Sequence, residues 1–305
     1  MNQQNKISVT VITGFLGAGK TTFINQLLKN YPEKQFALVE NEFGDVSIDT
    51  QLIKGVDASQ LFELRNGCIC CTITNEYEGI LAELAERFPH VEHLLIETTG
   101  IADPASVIRP FFRDENLKNL YRFERCVCLV DAVNFENQPD KEIALKQLVI
   151  ADEAIISKTE QFSENEKNAF RKIIEEINPL SHIYLAEFGK VSDFNLLSAK
   201  RKNEWPEVSD SSHFHSEIKT ETLRFSQPLQ KEDFLRKLEY NLDVYKNEIY
   251  RAKGILNFEN ELYEMVLQGV GGSFELFEGE NLNSGQESVL VLIGRLENVQ
   301  YELFY

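Results

Sequence analysis

Residues 9–22 read VTVITGFLGAGKTT, with Gly14, Gly19, Lys20 and Thr21 at the spacing Gly-x4-Gly-Lys-Thr. That spacing marks a phosphate-binding loop. Glycines at 14, 17 and 19 let the backbone approach an anion without Cβ clashes. Ala18 and Thr22 complete the run. The helix that follows aims its N-terminal amides and positive dipole end at the same anion. Lys20 would neutralise β and γ phosphates, and the Thr21 hydroxyl would ligate Mg²⁺.

Two further constellations invite chemistry. Residues 93–100, HLLIETTG, are an apolar strand that ends in an acid. Downstream of a phosphate loop this is the place of a carboxylate that holds Mg²⁺, so Glu97 takes that role, with Gly100 offering a backbone amide to a γ-phosphate. Three of five cysteines fall within four positions, at Cys68, Cys70 and Cys71. An odd count in a reducing compartment points to metal or redox use rather than disulfides. Thiolates are soft donors that suit Zn²⁺ and, less selectively, Co²⁺ or Ni²⁺. Three sulfurs from neighbouring residues do not close a tetrahedral site alone, so outside ligands are expected from Glu40, Glu42 or water. Cys126 and Cys128 lie two apart in an apolar run and read as core thiols.

The elements that must position these groups follow an α/β rhythm. An alternating strand over 7–13 feeds the loop and a helix to residue 30. Residues 35–40 form a second strand, and a long irregular connection follows it. A helix is expected over 74–88 and another from Pro104 to 112. Strands over 123–131, 153–157 and 182–186 alternate with helices over 141–151 and 165–177. The pattern predicts a mostly parallel sheet with helices on both faces. Residues 200–212 are polar and aperiodic, as a linker would be. Beyond them, alternating runs at 216–225, 248–258, 262–270, 273–277 and 287–293, with an amphipathic helix over 231–241, predict a small α+β domain. The expected division is 1–199, linker 200–212, and 213–305.

The totals exclude some classes. A net charge of −18 over 305 residues argues against nucleic acid or an anionic membrane as partner. No apolar run reaches the length of a bilayer span, and the first residues do not read as a signal peptide, so the cytoplasm is the expected location.

The blocks GFLGAGKTT (14–22), ENEFG (40–44), NGCICC (66–71), ETTGIADP (97–104), VDA (130–132), RAKG (251–254) and IGR (293–295) occur in this order. Together they resemble the CobW family of P-loop GTPases, over nearly the whole chain. The resemblance implies a metal-responsive GTPase that delivers Zn²⁺, Co²⁺ or a similar ion to a client metalloprotein, with the C-terminal domain facing that client. It also implies a guanine-recognition slot at Ser157-Lys158-Thr159-Glu160. There the usual Asn-Lys-x-Asp has lost its Asn, and its acid is one methylene longer. Only His213 and His215 remain of the histidine-rich run seen in many relatives. Two other classes stay open on the residues alone, a small-molecule kinase built on the same loop and a non-enzymatic metal sensor or store.

Overall fold

The computed structural model describes residues 6–40, 74–197, 218–282 and 286–305, with Glu40 and residues 74–76 followed by their backbone alone. The chain divides into two compact units, Met1–Pro206 and Glu207–Tyr305.

The first unit is built on a seven-stranded sheet of order β2-β3-β1-β4-β5-β6-β7. Its strands are β1 (Ile7–Thr13), β2 (Phe36–Glu40), β3 (His93–Glu97), β4 (Tyr121–Asp131), β5 (Glu153–Ser157), β6 (His182–Glu187) and β7 (Lys190–Val191). All neighbours pair in parallel except β6 and β7. The central strands are apolar on both sides, as a sheet covered by helices requires. On one face Ile12, Leu95, Val127, Leu129 and Ile155 pack against Phe23, Ile24, Leu27 and Leu28 of α1 (Lys20–Asn30). The alternate residues, Val11, Cys126 and Cys128 among them, are equally buried. Helices α3 (Pro104–Arg113) and α5 (Lys141–Ile150) contact these same strands. Cys126 and Cys128 are therefore core thiols, and burial pushes the Cys128 thiol up to about 12.

Helices α2 (Thr74–Arg87) and α6 (Glu164–Ile177) lie where the apolar spacing puts them. Ser163 opens α6 with a full capping box to Glu166. The six-residue α4 (Glu115–Leu120) and the two-residue β7 were not anticipated, being too short to show a period. Strand β4 begins at Tyr121, two residues earlier than its alternation suggests, directly out of α4.

The second unit is a five-stranded antiparallel sheet of order β11-β10-β9-β12-β8. Its strands are β8 (Lys219–Phe225), β9 (Ile249–Leu256), β10 (Tyr263–Val270), β11 (Ser273–Asn281) and β12 (Ser288–Gly294). Helix α7 (Lys231–Val244) lays Phe234, Leu238 and Leu242 on Leu223, Leu256, Leu267, Leu290 and Leu292. This is the expected α+β arrangement, with α7 three residues longer than its periodicity shows. No helix among the described residues is long and apolar enough to cross a membrane.

Candidate functional site

Parallel strands deliver their C-terminal ends to one edge, where ligands of open α/β sheets bind. Register decides which residues meet there. Ile12 stands beside Glu97 across β1 and β3, Thr13 beside Cys128 across β1 and β4, and Asp131 beside Ser157 across β4 and β5. Glu40, the last residue of β2, stands beside Glu97.

The phosphate loop is held against this edge by backbone contact. Gly14 adopts φ +135°, and a Cβ there would lie 2.3 Å from the Leu129 carbonyl oxygen of β4. Lys20 is almost fully buried, and its Nζ donates to the carbonyls of Gly14 at 2.9 Å and Phe15 at 3.4 Å. The loop thus curls around its own ammonium. Burial lowers the Lys20 pKa from the ordinary lysine value, against the opposing pull of Glu97 and Cys128. Thr21 Oγ1 donates to Glu97 Oε1 at 3.1 Å. A hydroxyl and a carboxylate side by side are hard oxygen donors, the set that suits Mg²⁺. Thr22 is exposed, while Ala18 is buried beneath the loop.

Past Glu97 the chain is pinned before it is released. Thr98 N donates to Ile12 O at 2.9 Å, and its hydroxyl donates to Thr13 Oγ1 at 3.0 Å. Gly100 then lies against the phosphate loop, where a Cβ would come within 2.5 Å of Leu16 N.

The segment expected to recognise guanine is tied to the same loop. Ser157 Oγ lies 2.8 Å from Ala18 O and 3.2 Å from Val130 O, and its single proton favours the nearer. Lys158, at φ 61°, donates to Asp131 Oδ2 at 2.7 Å. Asp131 also accepts from Asn134 Nδ2 at 2.7 Å and from the amides of Val133 and Asn134. Burial alone would raise the Asp131 carboxyl, but these hydrogen bonds and the Lys158 charge hold it below the usual range. Glu160 is exposed and accepts from Phe188 N at 2.5 Å, which lowers its pKa. A Cβ on neighbouring Gly189 would lie 2.5 Å from Thr22 Cγ2. The slot, the β6–β7 turn and the start of α1 are therefore one contiguous cluster. Replacing Ser157 by Ala strands a buried carbonyl, a loss of about 1–3 kcal/mol. Urea unfolding of the nucleotide-free protein should register it as a lower midpoint with an unchanged slope.

Sequence reasoning missed Asp131 as the partner of Lys158. The signal was available, because Asp131 ends a central strand as Glu97 does. The candidate metal ligands Glu42, Cys68, Cys70 and Cys71 lie outside the described residues, as do the side chain of Glu40 and both His213 and His215. Among the described residues no group of three or more His, Cys, Asp or Glu is placed to hold a metal ion.

Comparison with known proteins agrees with this geometry. The family model described as "CobW/HypB/UreG, nucleotide-binding domain" matches residues 8–184, and that of the "Cobalamin synthesis protein cobW C-terminal domain" matches residues 218–302. The zinc chaperone YjiA of Escherichia coli is 35% identical over 279 residues, covering 87% of this chain and 86% of its own. The zinc-regulated GTPase metalloprotein activator 1 of Schizosaccharomyces pombe is 29% identical over 316 residues, covering 88% and 76%. The crystal structure of Zn(II)-bound YjiA GTPase from E. coli superposes with a TM-score of 0.70 at 27% identity, covering 98% of this chain and 97% of that one. The chain belongs to the CobW family and carries both of its domains.

Proposed function

We propose that this protein hydrolyses GTP and uses the state of its nucleotide to take up and release a transition metal, zinc foremost, for delivery to a client protein. Membership of the CobW family supports the reading, as do relatives named zinc chaperone and zinc-regulated GTPase. One observation of this chain carries the coupling. Glu40 stands beside Glu97 in the sheet, so the segment bearing Cys68, Cys70 and Cys71 leaves from the residue next to the Mg²⁺ carboxylate.

In this reading Gly14, Gly17, Ala18, Gly19, Lys20, Thr21 and Thr22 cradle the phosphates. Thr21 and Glu97 would hold Mg²⁺, which would supply charge neutralisation to the phosphates. Lys20 leaves the loop carbonyls for the phosphates, and Gly100 offers its amide to the γ-phosphate. Ser157, Lys158 and Glu160 recognise the base. With a triphosphate bound, the segment after Glu40 is drawn toward the γ-phosphate, and the cysteines, with Glu40 or Glu42, gather the cargo ion. Hydrolysis relaxes the segment and loosens the ion. The domain matched over residues 218–302 faces the client.

Linkage requires that the ion tighten GTP by the factor by which GTP tightens the ion. Zinc titrated into protein holding a nonhydrolysable GTP analogue should bind about 5- to 150-fold more tightly than into the GDP form. Equal affinities remove the coupling. Phosphate release from GTP but not ATP, with and without zinc, tests the enzyme itself. Phosphoryl transfer to a small acceptor would favour a kinase, and no turnover at all would favour a store.

A further inference from the structure

Helix α5 carries a glutamine that neither the phosphate loop nor the base slot accounts for. Gln147 is fully buried, and its Nε2 donates both to Gly100 O at 3.1 Å and to Ala102 O at 3.0 Å. Two carbonyl acceptors leave no doubt which end of the amide faces them. Its Oε1 is buried without a hydrogen-bond partner among the described residues. The preceding residue grips the same segment from outside, with Lys146 Nζ 2.8 Å from Asp103 Oδ2. Asp103 in turn caps α3 through the Ala105 amide at 2.9 Å.

These bonds define a short suspended link. Upstream, Thr98 is fixed to β1 by its amide and to Thr13 by its hydroxyl. Downstream, the Gly100 and Ala102 carbonyls are fixed to α5. The peptide between residues 99 and 100 lies between the two anchors. Its carbonyl, Thr99 O, accepts from Ala102 N at 3.1 Å. In a trans peptide the N–H points opposite the carbonyl, so the Gly100 N–H faces away from that turn. Gly100 itself touches Leu16 of the phosphate loop.

We infer that Gln147 is a positioning residue for triphosphate sensing: by clamping the Gly100 and Ala102 carbonyls to α5 it aims the Gly100 amide and so sets the preference for GTP over GDP. The inference rests on the GTPase reading. In that reading Gly100 meets the γ-phosphate, which a diphosphate lacks, so the clamp bears on the triphosphate. The unfilled Oε1 is an acceptor that a shifted segment can use, which gives α5 a second way to hold it.

Binding of GDP and of a nonhydrolysable GTP analogue is measured for the full chain and for Gln147→Met, which keeps length and removes both bonds. Lys146→Met, on the outer side of α5, serves as a second variant should the first fail to fold. Two lost hydrogen bonds should lower the GTP-to-GDP affinity ratio about 5- to 30-fold, with GDP affinity within twofold of the parent. Lys146→Met should move the same ratio in the same direction by less. A merely structural role predicts a lower melting temperature with the ratio unchanged in both variants, and that result overturns the inference. A parent that binds neither nucleotide overturns the GTPase reading with it.

Discussion

Lys20→Ala is expected to abolish GTP hydrolysis while leaving the fold intact. Loss of one preorganised charge at a developing phosphoryl oxygen costs about 10²- to 10³-fold in rate, and Lys20 is the lysine that the phosphate loop encloses. Stability should change little with it. The buried ammonium carries a desolvation disadvantage, but it also satisfies the carbonyls of Gly14 and Phe15. Alanine relieves the first and strands the second, so the two effects oppose. The melting temperature of nucleotide-free Lys20→Ala should stay within a few degrees of the parent, and a large drop would show that the lysine holds the loop together. The pH dependence follows with a definite sign. The free site has a lowered Lys20 pKa, while bound phosphate favours the ammonium and raises it. Triphosphate affinity is thus fully present below the lowered value and declines as pH rises through it, and the variant should lack this decline. Cys70→Ser is the complementary change, which should weaken zinc and spare nucleotide binding. If both variants lost both activities while folded, separate sites would be ruled out.

Gly14→Ala should do the opposite, damaging the fold as well as the chemistry. A methyl at residue 14 would sit 2.3 Å from Leu129 O and 3.0 Å from Leu129 N, both backbone atoms of a central strand. Leu129 is itself paired to Ile155 of β5, so β4 cannot retreat without breaking a second ladder. Added to the left-handed φ, this overpacking should cost about 3–5 kcal/mol. Gly17→Ala is the control. Its φ of +74° is also left-handed, but no heavy atom lies within 4 Å of the new methyl. It should cost only about 1–2 kcal/mol. Urea unfolding of the first unit, followed by tryptophan-independent circular dichroism, separates the two. Equal midpoints would show that β4 does not bear on the loop.

The contrast between these glycines also marks what could be read from the chain alone. The phosphate loop is a local device, complete within nine residues, so spacing alone reveals it. The place of Glu97 was legible, because an apolar run ending in an acid is a strand that delivers its last residue to the loop's edge of the sheet. Both sheets were legible in outline because strand and helix periods differ. Partnerships across strands were not. Asp131 could be read as an acid at a strand end, but its meeting with Lys158 follows from β4 and β5 pairing with Asp131 opposite Ser157, a register that leaves no local trace. Gln147 was invisible for another reason. Helix α5 reads KEIALKQLVI, apolar almost all round, and nothing in that run says which side the glutamine takes. The β6–β7 turn puts Phe188 at φ 50°, where turn chemistry leads one to expect Asn or Gly. There the preference of the residue gave way to its tertiary setting.

Strand β2 sits at the margin of the first sheet, hydrogen-bonded to β3 and to no other strand among the described residues. The cysteine-bearing segment therefore branches off from a border and not from the middle of a ladder. In the proposed function the cargo ligands lie in that segment, so substitutions there would leave the pairing of β2 with β3, and Glu97 with it, untouched.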